Sequence, residues 1–330
     1  MSRCRHTAIT ILVAALSVVS AACGSSGSAK TASTTPNANA PLPARASTAQ
    51  VIAAVRAAEG TKRLPSAINA NVLQSVANDA VSAWAIPGCD PSPDSATSLA
   101  SLSGCTFGAT TYKHTLMVIG DSHAAMWQPA FDLLARRIGW RVIDLTLNNC
   151  GPAAIHYYLY PESREFSQCD AWQKWRMTEI NKIRPSIVVL TGEIGGAGPS
   201  VKFTPALWQA GIEKTIRRIQ PGIQTVVLGD LAALPTPGPE CLAKNSGNIQ
   251  ACSTPVATLA QRANNQSEAA AAAATGASYV DVTHWFCGEV CPDAIAGIDV
   301  YTGKYHVNHD YAAYLSGAME SALAPEINMA

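Results

Sequence analysis

Neither sign of charge prevails in this 330-residue chain: 23 Lys and Arg stand against 23 Asp and Glu. With no net field to gather polyanions, a function resting on a basic nucleic-acid patch is not expected. The one markedly apolar run near the start, Ala8 to Val19, is too short to span a bilayer comfortably. No internal repeat is visible, and the Ala-rich stretch at 268 to 274 is the only low-complexity feature after the first 48 residues; it reads as a packing face. What is present in quantity is hydrophobic composition, 48%, ample for a large core in one or two domains.

The N-terminus has the three parts of an export signal: Arg3, Arg5 and His6, then the apolar run, then Ser20-Ala21-Ala22 before Cys23. Ser-Ala-Ala-Cys followed by Gly24 resembles a bacterial lipoprotein box, with Ser20 where Leu is usual. Lipidation at Cys23 is the expectation, with simple secretion and a retained anchor as alternatives. Residues 24 to 48 are Ser, Ala, Thr, Pro, Asn and Gly with almost no large apolar side chain. Such a segment serves as a disordered tether with a reach of roughly 30 Å. The expected organisation is a signal peptide at 1–22, a tether at 23–48, a helical or irregular lead-in at 49–110 and a main domain at 111–330.

Setting aside Cys4 and Cys23, eight cysteines remain: Cys89, Cys105, Cys150, Cys169, Cys241, Cys252, Cys287 and Cys291. An even number in an exported chain reads as disulfides, and sequential pairing closes the smallest of the 105 possible sets of loops. The expected pairs are therefore 89–105, 150–169, 241–252 and 287–291. A zinc site using Cys287, Cys291, His284 and His306 is the competing reading, weakened by the lack of a second Cys pair.

Residues 49 to 60 read as a short helix with Thr48 as cap and Gly60 as stop. From 115 onward, strand-like runs at 115–119, 142–145, 187–190, 225–228 and 279–282 alternate with helical patterns near 124–138, 172–183, 205–218 and 256–274. That alternation implies parallel crossovers and an α/β three-layer αβα sandwich with a mostly parallel, flavodoxin-like sheet, preceded by a short helical segment. Ligands in such sheets bind at the carboxyl ends of strands. Ser122, Gly151, Gly192 and the segment after Asp281 all fall there.

Gly120-Asp121-Ser122-His123 directly follows the run Thr115 to Ile119 and precedes Trp127, Phe131, Leu134 and Ile138 at helical spacing. A serine on a strand-to-helix turn presents its hydroxyl at the open end of the sheet, with its own N–H and a helix dipole behind it. That is the layout of a nucleophile, although Asp and Ser are also favoured helix caps. The tetrapeptide resembles the first block of the SGNH (GDSL-like) hydrolase superfamily. The cysteine spacing and the run Cys291-Pro292, Val300-Tyr301, His306 resemble the extracytoplasmic SGNH domain of acyltransferase-three-type polysaccharide O-acyltransferases, here as a stand-alone lipoprotein.

The resemblance implies Ser122 as nucleophile and His306, just before the last helical pattern, as base, with Asp121 and His123 in support. It implies oxyanion donors from the N–H groups of Ser122 and Gly151, with Asn149 or Asn148 as a further candidate. It requires no cofactor and no metal. Two departures stand out. The family places an aspartate three residues before the histidine, where this chain has Gly303; Asp299 or Asp310 are the local alternatives. A literal Asp-x-x-His at Asp281 and His284 is poorly placed at a strand end. The third block, Gly-x-Asn-Asp, is replaced by Gly192-Glu193-Ile194-Gly195-Gly196. A dinucleotide loop at 192–198 is disfavoured by Pro199. An α/β-hydrolase elbow at 120–124 would need strands before it that are not visible.

The expected function is a cell-envelope serine esterase or O-acyltransferase, acting on O-acyl groups of a glycan with acetyl foremost. The chain would be lipid-anchored outside the cytoplasm, and a transferase would take its acyl group from a separate membrane protein. The alternative is a catalytically reduced module that binds cell-wall glycan or a partner protein.

Overall fold

In the computed structural model of the chain, residues 45–69, 73, 85, 86, 89, 104–159, 164–194, 203–231, 233–259 and 261–330 are described. The signal segment, Cys23, nearly all of the tether and the glycines at 195–198 lie outside the described residues.

Six strands form the central sheet: β1 Thr106–Gly108, β2 His114–Gly120, β3 Trp140–Thr146, β4 Ile187–Leu190, β5 Gln224–Leu228 and β6 Ser278–Val280. Their spatial order is β1-β3-β2-β4-β5-β6. All pairings are parallel except β1 with β3. The central strands read as continuous apolar runs because both of their faces are covered. In β2, Leu116 and Val118 enter one core and Met117 and Ile119 the other, as the two-residue period of a strand requires.

Helices fill both outer layers, as the alternating pattern predicts. On one face lie α1 (Thr48–Glu59), the short α2 (Ser122–Ala125), α3 (Gln128–Ile138) and, after α4 to α7, the three C-terminal helices α8 (His309–Tyr314), α9 (Ser316–Ala322) and α10 (Ala324–Met329). On the other lie α4 (Ser167–Ile183), α5 (Pro205–Ile216) and α7 (Gln261–Thr275); α6 (Gly238–Lys244) belongs to a satellite core with Ile68, Leu73 and Ile249. The Ala-rich α7 buries Ala271 and Ala272 and packs against α5.

Three local expectations are corrected. The cap of α1 is Ser47, not Thr48, in a reciprocal capping box with Gln50. The end of the expected tether belongs to the fold, since Ala46 is buried and Arg45 pairs with Glu320. The helix after Ser122 is two helices: Pro129 is tolerated only in a first turn, so α3 restarts at Gln128.

The chain leaves β2 to form β3 on one side and returns to form β4 on the other, so the carboxyl end of β2 is the topological switch point. Gly120 ends that strand because a Cβ there would sit 1.8 Å from the Thr191 carbonyl oxygen. The turn carrying Ser122 can therefore lie directly against the end of β4.

The four disulfides are Cys89–Cys105, Cys150–Cys169, Cys241–Cys252 and Cys287–Cys291. Sequential pairing holds, and the zinc reading falls because its cysteines are oxidised. Cys150 and Cys169 are 19 residues apart and Cys287 and Cys291 only four. Loop-closure entropy therefore gives the first bond about 3 kcal/mol and the second about 2 kcal/mol. Denaturant melts of the Cys150→Ala/Cys169→Ala double variant should show the larger loss; equal or reversed losses would contradict this ranking.

Candidate active site

Asp121 caps α2, accepting the His123 N–H at 2.9 Å, and accepts the Glu193 N–H at 3.1 Å from the end of β4. Its carboxylate also lies against two glycines. A Cβ on Gly192 would meet it at 3.0 Å, and one on Gly151 at 3.3 Å. Gly151 has no other room either, since its Cβ would lie 2.6 Å from the Tyr157 hydroxyl and 2.9 Å from Trp208. One buried carboxylate thus gathers the loops that follow β2, β3 and β4. Burial raises Asp121 to about 7, against the opposing pull of the His123 charge.

Ser122 is the first residue of α2 and is partly exposed beside this buried carboxylate. His123, next to it, is 2% exposed. Its Nδ1 lies 2.7 Å from Asp230 Oδ1 and its Nε2 lies 3.6 Å from Glu193 Oε2. Desolvation alone would lower the imidazole pKa, but Asp230, Glu193 and Asp121 outweigh it and raise it to about 10. The flanking carboxylates thus favour the charged form of His123.

His306 lies on a small hairpin in which Tyr301–Thr302 pairs with His306–Val307. Two contacts bring this hairpin to the Ser122 turn. The Val307 N–H approaches Met126 Sδ at 3.4 Å, and the rings of His306 and His123 are 5.0 Å apart between centroids. Gly303 begins the hairpin loop with φ +62°, a left-handed conformation that disfavours side chains. Its carbonyl accepts the Gly238 N–H at 3.0 Å, which fastens the loop to the segment after β5.

The other acids near His306 in sequence engage different partners. Asp299 accepts from Asn308 Nδ2 at 2.8 Å and Asp310 meets His309 Nδ1 at 3.0 Å. Asp281 accepts the Thr283 N–H in a local turn, and His284 is exposed. Asn149 is partly exposed with φ +61°. The Asn148 side-chain oxygen is buried without a hydrogen bond.

Asp230, the acid that pairs with His123, has no part in the sequence-based expectations. It is 2% exposed and stands just past β5. A signal existed: Leu228-Gly229-Asp230 repeats the strand-end pattern of Ile119-Gly120-Asp121. Glu193, noted only as the residue in place of the third block, turns its carboxylate toward His123.

Comparisons with known proteins identify the family and the fold. The family model described as "SGNH domain (fused to AT3 domains)" matches residues 84–321. No curated protein sequence matches the chain. Among solved structures, the periplasmic domain of a lipopolysaccharide acetyltransferase from Salmonella ser. Paratyphi A superposes with a TM-score of 0.54 at 16% identity, covering 78% of this chain and 96% of that one. A carbohydrate acetylesterase from Sinorhizobium meliloti gives 0.44 at 12% identity over 64% and 99% of the two chains. An aryl esterase from M. smegmatis gives 0.43 at 12% identity with the same coverage. At these identities the first superposition speaks for the fold alone, and the two weaker ones add nothing to it.

The buried ion pair has a pH signature. A histidine raised from 6.5 to about 10 on folding contributes stability that is fully present below about pH 6.5 and is lost as pH rises through about 10. Thermal melts between pH 6.5 and 10 should therefore fall more steeply for the wild type than for His123→Gln. Parallel profiles would show that His123 is not charged in the folded protein.

Proposed function

Because the chain belongs to the SGNH domain family, we propose that it is a serine enzyme that removes or transfers O-acyl groups, acetyl foremost, on a cell-envelope glycan. What supports this reading is the placement of Ser122 on the turn at the switch point, between the buried Asp121 and the residues His123 and Met126 that touch the His306 hairpin. In the proposed reaction Ser122 Oγ attacks the acyl carbonyl while His306 accepts its proton. The N–H groups of Ser122 and Gly151 receive the charge that develops on the carbonyl oxygen. Collapse of the tetrahedral intermediate breaks the bond to the sugar oxygen, which leaves with the proton from His306. Water or another sugar hydroxyl then attacks the acyl-serine, giving its proton to His306, which passes it to Ser122 Oγ as the acyl–oxygen bond breaks and the acid or the new ester leaves.

Signal cleavage and lipidation at Cys23 would place the enzyme on the outer face of the membrane, with residues 24 to 44 as its leash. Among the described residues no helix is long and apolar enough to cross a membrane. In this reading a transferase would draw its acyl group from a separate membrane protein, whereas an esterase needs only water.

Gly303 favours the second reading, a module that binds glycan without turning it over, because the residue expected to orient the imidazole is absent. Removing the acid of a catalytic triad costs roughly 10⁴-fold in rate, against about 10⁶ for the serine or histidine, so slow turnover remains compatible with Gly303.

Hydrolysis of an aryl acetate separates the two. Ser122→Ala and His306→Ala should each abolish turnover with melting temperatures close to wild type, while His284→Ala should be unaffected. Equal rates in wild type and Ser122→Ala would refute the enzyme reading, and an essential His284 would move the base.

Gly303→Asp should lose about 1 kcal/mol of stability because of its left-handed backbone. It should gain less than tenfold in rate, as read by denaturant melts and aryl acetate kinetics. A gain of a hundredfold would show that orientation of His306 alone limits the wild type.

A further inference from the structure

Helix α4 carries Cys169, Gln173 and Arg176 on one buried face, four and three residues apart. All three hold the segment that contains Gly151. Cys169 is bonded to Cys150. Gln173 Nε2 donates to the Ile155 carbonyl at 2.9 Å. Arg176 Nη2 donates to the Gly151 carbonyl at 2.9 Å and to the Pro152 carbonyl at 3.2 Å. From α5, Thr215 Oγ1 adds a bond to the Pro152 carbonyl at 2.7 Å and the Gly211 carbonyl receives the Ala154 N–H at 2.9 Å.

Arg176 is the unexpected member. It is 1% exposed, and no acidic side chain accepts from its guanidinium among its hydrogen bonds. Its Nη1 is buried without a hydrogen bond, as is the nearby Tyr157 hydroxyl. Burying a cation costs several kcal/mol, which two carbonyl contacts offset only in part. A neutral side chain would serve if the task were merely to cap a carbonyl.

We propose that Arg176 is a positioning residue that holds the Gly151 loop in the conformation needed for its N–H to meet a developing oxyanion. The proposal rests on the assignment of Gly151 to the oxyanion site. The benefit of such a donor depends on its being fixed before the reaction, because a donor that must reorganise gives back much of its stabilisation. The disulfide secures the loop at Cys150 and Arg176 secures it at the Gly151–Pro152 peptide, so the Cys150–Gly151 peptide that carries the Gly151 N–H is held from both sides.

The test compares Arg176→Met, Arg176→Gln and Arg176→Lys with the wild type in aryl acetate kinetics and in amide hydrogen exchange of residues 150–155. The Met variant should lose tenfold to a hundredfold in kcat with KM within threefold, and its loop amides should exchange at least tenfold faster. Lys, which can still donate to the Gly151 carbonyl, should recover kcat to within fivefold of wild type. Gln, with a shorter reach, should fall between them, and it carries the kcat comparison if the Met variant does not fold. A Met variant with wild-type kcat and wild-type exchange overturns the proposal. So does a loss confined to KM, or a Lys variant no better than Met. If the wild type itself does not turn over ester, the esterase reading fails and exchange decides alone: a loosened loop in Met and a wild-type loop in Lys support the positioning role, and an unchanged loop in Met refutes it.

Discussion

The site depends on one buried carboxylate. Asp121 binds the N–H groups of His123 and Glu193 and fills the space between Gly151 and Gly192. Three loops from three adjacent strands converge on it, and it hydrogen-bonds two of them. A carboxylate in so dry a place survives only with its lone pairs occupied. The two backbone donors meet that condition, and the neighbouring glycines are the consequence, since no side chain fits where the loops close over the acid. Replacing either glycine would push the loop off the carboxylate.

A second feature is the way acidity is distributed around the histidines. Three residues before His306, where the resemblance leads one to expect an aspartate, stands Gly303, used as the left-handed residue of a hairpin loop. The carboxylates near the site are elsewhere, on Asp230 and Glu193, and they face His123 rather than the residues next to His306 in sequence. His123 thus stands beside the His306 ring, with carboxyl groups that favour its charged form on its other sides.

Much of this architecture is legible in the sequence because its elements are long and periodic. The apolar runs at 115–119, 142–145 and 187–190 announce parallel strands covered on both faces, and the cysteines announce their pairing by adjacency. The edge strand Thr106–Gly108 escapes because three residues carry no measurable period. The break between α2 and α3 was readable from Pro129, but the hydrophobic spacing across it is continuous. Asp230 escapes for a different reason. The repeated strand-end pattern Leu228-Gly229-Asp230 marks it, but its pairing with His123 arises from strand order, which brings the end of β5 near that of β2. The same holds for Arg176, which reads as one more charged helix residue until the loop against which it packs is seen.

The central claim is that Ser122 is an activated nucleophile, and covalent labelling measures it directly. Incubation with a serine-directed fluorophosphonate, followed by intact mass and peptide mapping, should give one adduct per molecule on Ser122. The adduct should be absent in Ser122→Ala and form far more slowly in His306→Ala. No adduct on the folded wild-type protein, or an adduct on a different residue, would contradict the account.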